Sequence, residues 1–263
     1  MKSITFAVSK GGVGKSLITA NVGAALAEEG KRVVLVEGDP NNPLQKVLGI
    51  SFTPEDLKLD DVVRDDLNIE KAIYPTKLDN LSLIPSGISL KGYVEIDPVA
   101  FARKFTSLTA DFLFIDVPFP LGKAAFLSLG ICEYFIILLT EDEFVLCVES
   151  AIDTIRMGKY FLQCVPIGFV MNRVKTPERF DEEFIRDLEN LLEIPCIAQI
   201  REDSNVSKSY GVVKSQGAFL AYKKFRGSEF SKGIHTVALR LLRKLPPPEK
   251  KDVVELIQKV IRS

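Results

Sequence analysis

A short, mostly apolar run, Ile4-Thr5-Phe6-Ala7-Val8, leads directly into Ser9-Lys10-Gly11-Gly12-Val13-Gly14-Lys15-Ser16, and an alanine-rich segment of helical periodicity follows. No other feature constrains the fold as much. The first run has the length of a buried strand. The glycines allow backbone conformations closed to other residues, and Lys15-Ser16 stand where a helix opens. A loop of this kind turns successive N–H groups inward, and the helix N-terminus adds positive potential. Its natural occupant is a phosphate chain. Lys15 then reaches the β- and γ-phosphates and the Ser16 hydroxyl holds Mg²⁺. Gly11, Gly12, Val13, Gly14, Lys15, Ser16 and Leu17 are the predicted contacts at this end of a nucleotide.

The rest of the chain repeats the alternation. Leu17, Ile18, Val22 and Leu26 recur at helical spacing, and Gly30 follows where a C-cap glycine belongs. Val33-Val34-Leu35-Val36 is continuously apolar, as a strand covered on both faces must be. Similar runs lie at 81–84, 112–115, 134–139, 167–171 and 196–200. Helical patterns cover roughly 98–109, 122–130, 143–162, 178–192, 203–215 and 228–244. Strands alternating with helices predict an α/β fold, a mostly parallel twisted sheet with helices on both faces. Pro246-Pro247-Pro248 is a stiff spacer, so the reading is one domain over 1–245, then a spacer and C-terminal helix over 246–263.

Several carboxylates fall at predicted strand ends, where an open parallel sheet places its ligand crevice. Glu37-Gly38-Asp39-Pro40 follows the second strand, and Phe112-Leu113-Phe114-Ile115 ends in Asp116. Acids there face the phosphates and the metal, so Ser16, Asp39 and Asp116 are the predicted Mg²⁺ residues. Composition adds exclusions. Net charge is −1, so no global basic field draws the chain to nucleic acid. The four cysteines form no CxxC pair and mostly lie in apolar segments, which predicts reduced thiols in a cytoplasmic protein. No targeting pattern is apparent and the longest apolar runs have strand length.

Lys10 adds a second cation inside the glycine loop. With it the motif resembles the deviant Walker A sequence of the MinD/ParA family of ATPases, although Ser9 stands where the common pattern has glycine. The resemblance continues in order. Glu37-Gly38-Asp39-Pro40 resembles Asp-x-Asp-Pro, with Glu37 replacing the first Asp. Phe112–Asp116 resembles Walker B, followed by a longer loop, Val117 to Gly122. Val170-Met171-Asn172-Arg173 resembles the strand-Asn-Arg motif, and Ile200-Arg201-Glu202-Asp203 the loop Ile-Pro-Glu-Asp.

The resemblance implies ATP or ADP with Mg²⁺ as ligands. It implies that Lys10 crosses a dimer interface to the partner's phosphates, that Asp39 orients the attacking water, and that Asn172, Arg173, Arg201 and Asp203 surround the adenine. Lys10, Lys15 and Asp39 are then the catalytic residues of an ATP-dependent homodimer. Turnover would be slow and raised by a regulatory protein partner.

The output of such a switch differs among relatives. Val253, Val254, Ile257, Val260 and Ile261 form one stripe of a C-terminal amphipathic helix, a shape that resembles the membrane-binding tail of MinD. Its near-balanced charge and lack of Phe and Trp suit docking on protein instead. The sequence reading therefore expects a cytoplasmic protein, with peripheral membrane contact through this helix as one output. A HypB-like maturation factor docking a metallochaperone and a ParA-like DNA-segregation ATPase are the alternatives. Lys223-Lys224-Phe225-Arg226 is a short basic cluster on a near-neutral chain, so DNA is the weaker expectation.

Overall fold

The computed structural model describes residues 1–7, 11–88, 95–117, 123–206, 220–248 and 252–262. Eight strands form one sheet: β1 (Lys2–Ala7), β2 (Val33–Glu37), β3 (Tyr74–Pro75), β4 (Leu81–Ile84), β5 (Phe112–Asp116), β6 (Tyr134–Thr140), β7 (Val165–Val174) and β8 (Cys196–Arg201). Their order is β3-β4-β2-β5-β1-β6-β7-β8. All pairings are parallel except that of β3, a two-residue edge strand antiparallel to β4. The expected α/β architecture with a mostly parallel sheet is thus the one observed. Central strands such as β5 and β6 are buried at every position, which is why they read as unbroken apolar runs.

Two apolar clusters cover the two faces. On one face lie α1 (Lys15–Glu28), α2 (Pro43–Leu48), α8 (Ala221–Lys224) and α9 (Glu229–Leu242), packed on Ile4, Phe6, Leu35 and Phe114. On the other lie α3 (Leu59–Arg64), α4 (Pro98–Lys104), α5 (Lys123–Ile131), α6 (Phe144–Arg156) and α7 (Glu182–Leu192), packed on Val34, Val36, Ile115 and Ile137. Alternate residues of each strand go to opposite clusters, as the period of two requires. The layering also explains α1, which is buried from Ile18 through Ala27 because the sheet, α2 and α9 enclose it.

Some helices differ from the sequence reading. The fourth ends at Lys104 rather than near 109, and α2, α3 and α8 were not expected as helices. These last three are four to six residues long, too short to show a period. The helical pattern read at 203–215 falls mostly outside the described residues.

The C-terminal helix α10 (Val253–Arg262) is seated on the domain. It contacts α4 and α5, and Ile257 is fully buried against the second cluster. A Cβ added at Gly130 on α5 would stand 3.4 Å from Ile257, so the glycine lets the two helices come together closely. Burying one such side chain contributes about 2 kcal/mol. Before this helix, Lys2 Nζ donates to the Leu241 carbonyl at the end of α9 at 2.8 Å, and Tyr134 Oη donates to the Pro246 carbonyl at 2.9 Å, which holds the proline spacer to the domain. No described helix is long and apolar enough to cross a membrane.

Candidate functional site

The parallel strands bring their C-terminal ends to one edge, and the glycine loop closes over it. There a cleft of about 480 Å³ is lined by Gly11, Gly12, Val13, Gly14, Lys15, Ser16 and Leu17, by Asp39, and by Asn172, Arg173, Arg201 and Asp203. Segments far apart in the chain meet there because each follows, or opens just after, a strand of the same sheet. Lys10 and the 118–122 loop lie outside the described residues.

At the phosphate end, Gly14 has φ +90° and precedes the first turn of α1. Only glycine takes that conformation without strain. A Cβ there would also sit 2.8 Å from Nδ2 of Asn172, so the position is closed to larger residues twice over. Asn172 is buried and donates Nδ2 to the Val13 carbonyl at 2.8 Å. The residue expected beside the adenine thus also braces the loop.

Lys15 Nζ donates to the Val117 carbonyl at 2.6 Å, one residue beyond Asp116. Asp116 itself is 2% exposed, and neither carboxylate oxygen has a hydrogen-bond partner among the described residues. An orphaned buried carboxylate is costly. Burial raises its pKa to about 6, with Lys15 and the nearby Ser16 hydroxyl pulling the other way and Asp39 adding repulsion. A divalent cation would remove that cost. Mg²⁺ takes hard oxygen ligands, and Ser16 and Asp116 supply them at the phosphate end, so the donor set fits the ion.

Asp39 accepts at Oδ1 from the Asn41 backbone N–H at 2.8 Å and from Asn41 Nδ2 at 2.9 Å, a local turn at the rim of the cleft. Glu37, two residues earlier, is fully buried and in register with Asp116 on the neighbouring strand. Burial and the Asp116 charge push its carboxyl up to about 9, against two backbone N–H bonds from Gln45 and Leu44.

At the opposite end, Arg173 adopts φ +57° where β7 breaks register with β8 between Met171 and Val174. The break turns its guanidinium over the loop. Nη1 donates to the Gly12 carbonyl at 3.4 Å, and Nε and Nη2 reach Glu202 Oε1, both at 3.3 Å. Asp203 accepts from the Asn205 backbone N–H at 2.9 Å. Val206 and Phe230, both buried, add an apolar wall.

Asn41 and Pro43, directly after the Asp39-Pro40 motif, and Glu202, Val206 and Phe230 also line the cleft. Glu202 lay inside a quoted motif. Phe230 sits on α9, beyond every motif, and nothing local signals it. The basic cluster is elsewhere: Arg226 pairs with Glu28 at 2.8 Å and Lys223 approaches the same carboxylate at 3.9 Å.

Residues 1–157 match the family model described as an AAA domain. The chain belongs to the MinD/ParA family of P-loop ATPases. An uncharacterized ATP-binding protein of Methanocaldococcus jannaschii is 33% identical over 100% of this chain and 96% of its own length. The Pyrococcus furiosus cell division ATPase MinD superposes with a TM-score of 0.78 at 27% identity, covering 92% of this chain and 98% of that one. The septum site-determining protein MinD of Pyrococcus horikoshii, solved with Mg-ADP, gives 0.75 at 25% identity over 91% and 95%. This family member is therefore an ATP-binding P-loop protein.

Proposed function

We propose that this MinD/ParA family member is a Mg²⁺-dependent ATPase that works as an ATP-driven dimerisation switch. The observation that carries the reading is the buried Asp116 carboxylate, unpartnered beside Ser16 and Lys15 at the mouth of the glycine loop. The amides of Gly12, Gly14, Lys15 and Ser16 would hold the phosphates. Lys15 would exchange the Val117 carbonyl for a phosphate oxygen. Ser16 and Asp116 would hold the metal, with Asp39 beside them at the rim. The metal would neutralise developing charge on the transferred phosphoryl group. Asp39 would orient water, and Lys10 would complete the partner's site. Asn172, Arg173, Arg201 and Asp203 would surround the purine. Catalysis is then positioning and charge neutralisation, as phosphoryl transfer requires.

The purified protein tests this directly. Lys10→Ala should bind ATP as a monomer and lose hydrolysis, and full activity in that variant would remove the trans-acting lysine. Asp39→Ala should collect as an ATP-bound dimer on size exclusion; a strict monomer there contradicts the switch.

The output we propose is a regulatory protein partner engaged by the ATP-bound dimer. The seating of α10 on its own domain, with Ile257 buried, supports docking over direct lipid binding. Membrane contact would first have to uncover that face. Liposome flotation of Asp39→Ala protein with ATP and with ADP, full-length and truncated after Lys244, separates the two. ATP-dependent flotation that vanishes with the tail would establish the membrane output.

A further inference from the structure

Glu37 departs from the family's Asp-x-Asp-Pro pattern, and its surroundings show what the longer side chain reaches. Strand β2 ends at Glu37, whose side chain is fully buried. Its Oε1 accepts from the Leu44 backbone N–H at 3.2 Å, and its Oε2 from that of Gln45 at 2.9 Å. These donors belong to the first turn of α2, where the helix's own ladder leaves N–H groups unpaired. Pro43, at the helix start, has no N–H to offer. Asn42 supplies no side-chain cap. The cap comes instead from the end of a strand, seven residues upstream of Leu44.

This arrangement closes a loop. Residues 38–42 run from Glu37 to α2, and the Glu37 side chain bonds the first turn of α2 beyond them. Gly38 N–H donates to the Asp116 carbonyl at 2.7 Å, which fixes the near end to the neighbouring strand. Leu44 and Val47 are buried under the sheet and anchor the far end. Within the loop, Asp39 and Asn41 face the cleft and form the turn described above.

We propose that Glu37 is a positioning residue for hydrolysis: its two carboxyl oxygens bond α2 to β2 and thereby fix the Asp39 turn relative to the phosphate-binding loop and Asp116. The inference rests on the ATPase reading above. An Asp at this position would be one methylene shorter, drawing the carboxylate back by about 1.5 Å, and could not reach both amides on this backbone. Reach, more than charge, is what the site demands. A displacement of that size in a group that aligns a nucleophile costs turnover while leaving phosphate binding to the loop.

The test measures kcat, KM and labelled-ATP affinity for wild type, Asp39→Ala, Glu37→Gln and Glu37→Asp, all well below their melting temperatures. Glu37→Gln keeps the length and one acceptor. It should lower kcat by about tenfold with affinity changed by less than about twofold, and Glu37→Asp should fall further despite keeping the carboxyl group. Asp surpassing Gln would overturn the proposal, because the carboxyl group and not its reach would then be the requirement. So would both variants matching wild type, or affinity falling with kcat unchanged. If neither variant folds, hydrogen exchange on wild type decides: protected Leu44 and Gln45 amides support the clamp, and unprotected ones refute it. Wild type without ATPase activity, or Asp39→Ala with full activity, would instead refute the underlying ATPase reading.

Discussion

Lys15 Nζ lies 2.6 Å from the carbonyl oxygen of Val117, and this bond ties the phosphate-binding loop to the segment that leaves β5. The cation is therefore already aimed across the cleft. A phosphate arriving there replaces a neutral acceptor with a charged one, a stronger partner for an ammonium. Lys15→Gln keeps a donor but removes the charge. It should weaken ATP binding by about 10²-fold, read by fluorescent-nucleotide titration, with the melting temperature little changed. Unaltered affinity would show that the loop amides suffice.

Asp116 makes the nucleotide-free protein pH-sensitive. Its folded pKa is raised from 3.8 to about 6. A carboxyl raised on folding favours the folded state while protonated, and that contribution is lost as pH rises from about 4 to about 6. Two units correspond to about 3 kcal/mol. Asp116→Asn should therefore melt higher than wild type at pH 7–8 without nucleotide, with the gap shrinking toward pH 4. Mg²⁺ and ATP should reverse the order, because only the carboxylate gains from the metal. Equal melting curves at both pH values would show that the carboxylate is not under strain.

Release of the tail should be measurable without lipid. Ile257 is a buried contact of α10 against α5. Ile257→Asp places a charge in that contact and should detach the helix at a cost of a few kcal/mol or less to the domain. Amide exchange within 253–262 should become fast while that of β5 and β6 stays slow. Global unfolding of the variant would mean that the tail is part of the domain's cooperative core.

The thiols should be quiet. Cys132, Cys147 and Cys164 are buried, and Cys196 has its pKa pushed to about 12 by burial and by Glu189. Only the thiolate is nucleophilic. Folded protein at pH 8 should resist alkylation over hours, and unfolding should release four equivalents. Rapid labelling of Cys196 in the folded state would contradict its environment.

Most of the frame was legible locally. Strand positions could be read because each parallel strand is covered on both faces and so must be apolar along its length. The phosphate end could be read because glycine, lysine and serine act there through neighbouring backbone, within one turn of chain. The acids could be read as residues at strand ends, and the family resemblance added the purine end.

What the sequence determined, then, is the order of the elements and which residue types stand at the strand ends. The tertiary structure decided which of them meet. Phe230 reaches the cleft because α9 packs on α1 and β8. Glu37 looked like a substitution until α2 was seen to present two N–H groups to it. The tail's stripe suits lipid, protein or its own domain equally, and only packing on Gly130 and its neighbours places Ile257. Periodicity reports how much apolar surface a segment must bury. The partner that buries it is set by contacts far apart in the chain, which no local pattern encodes.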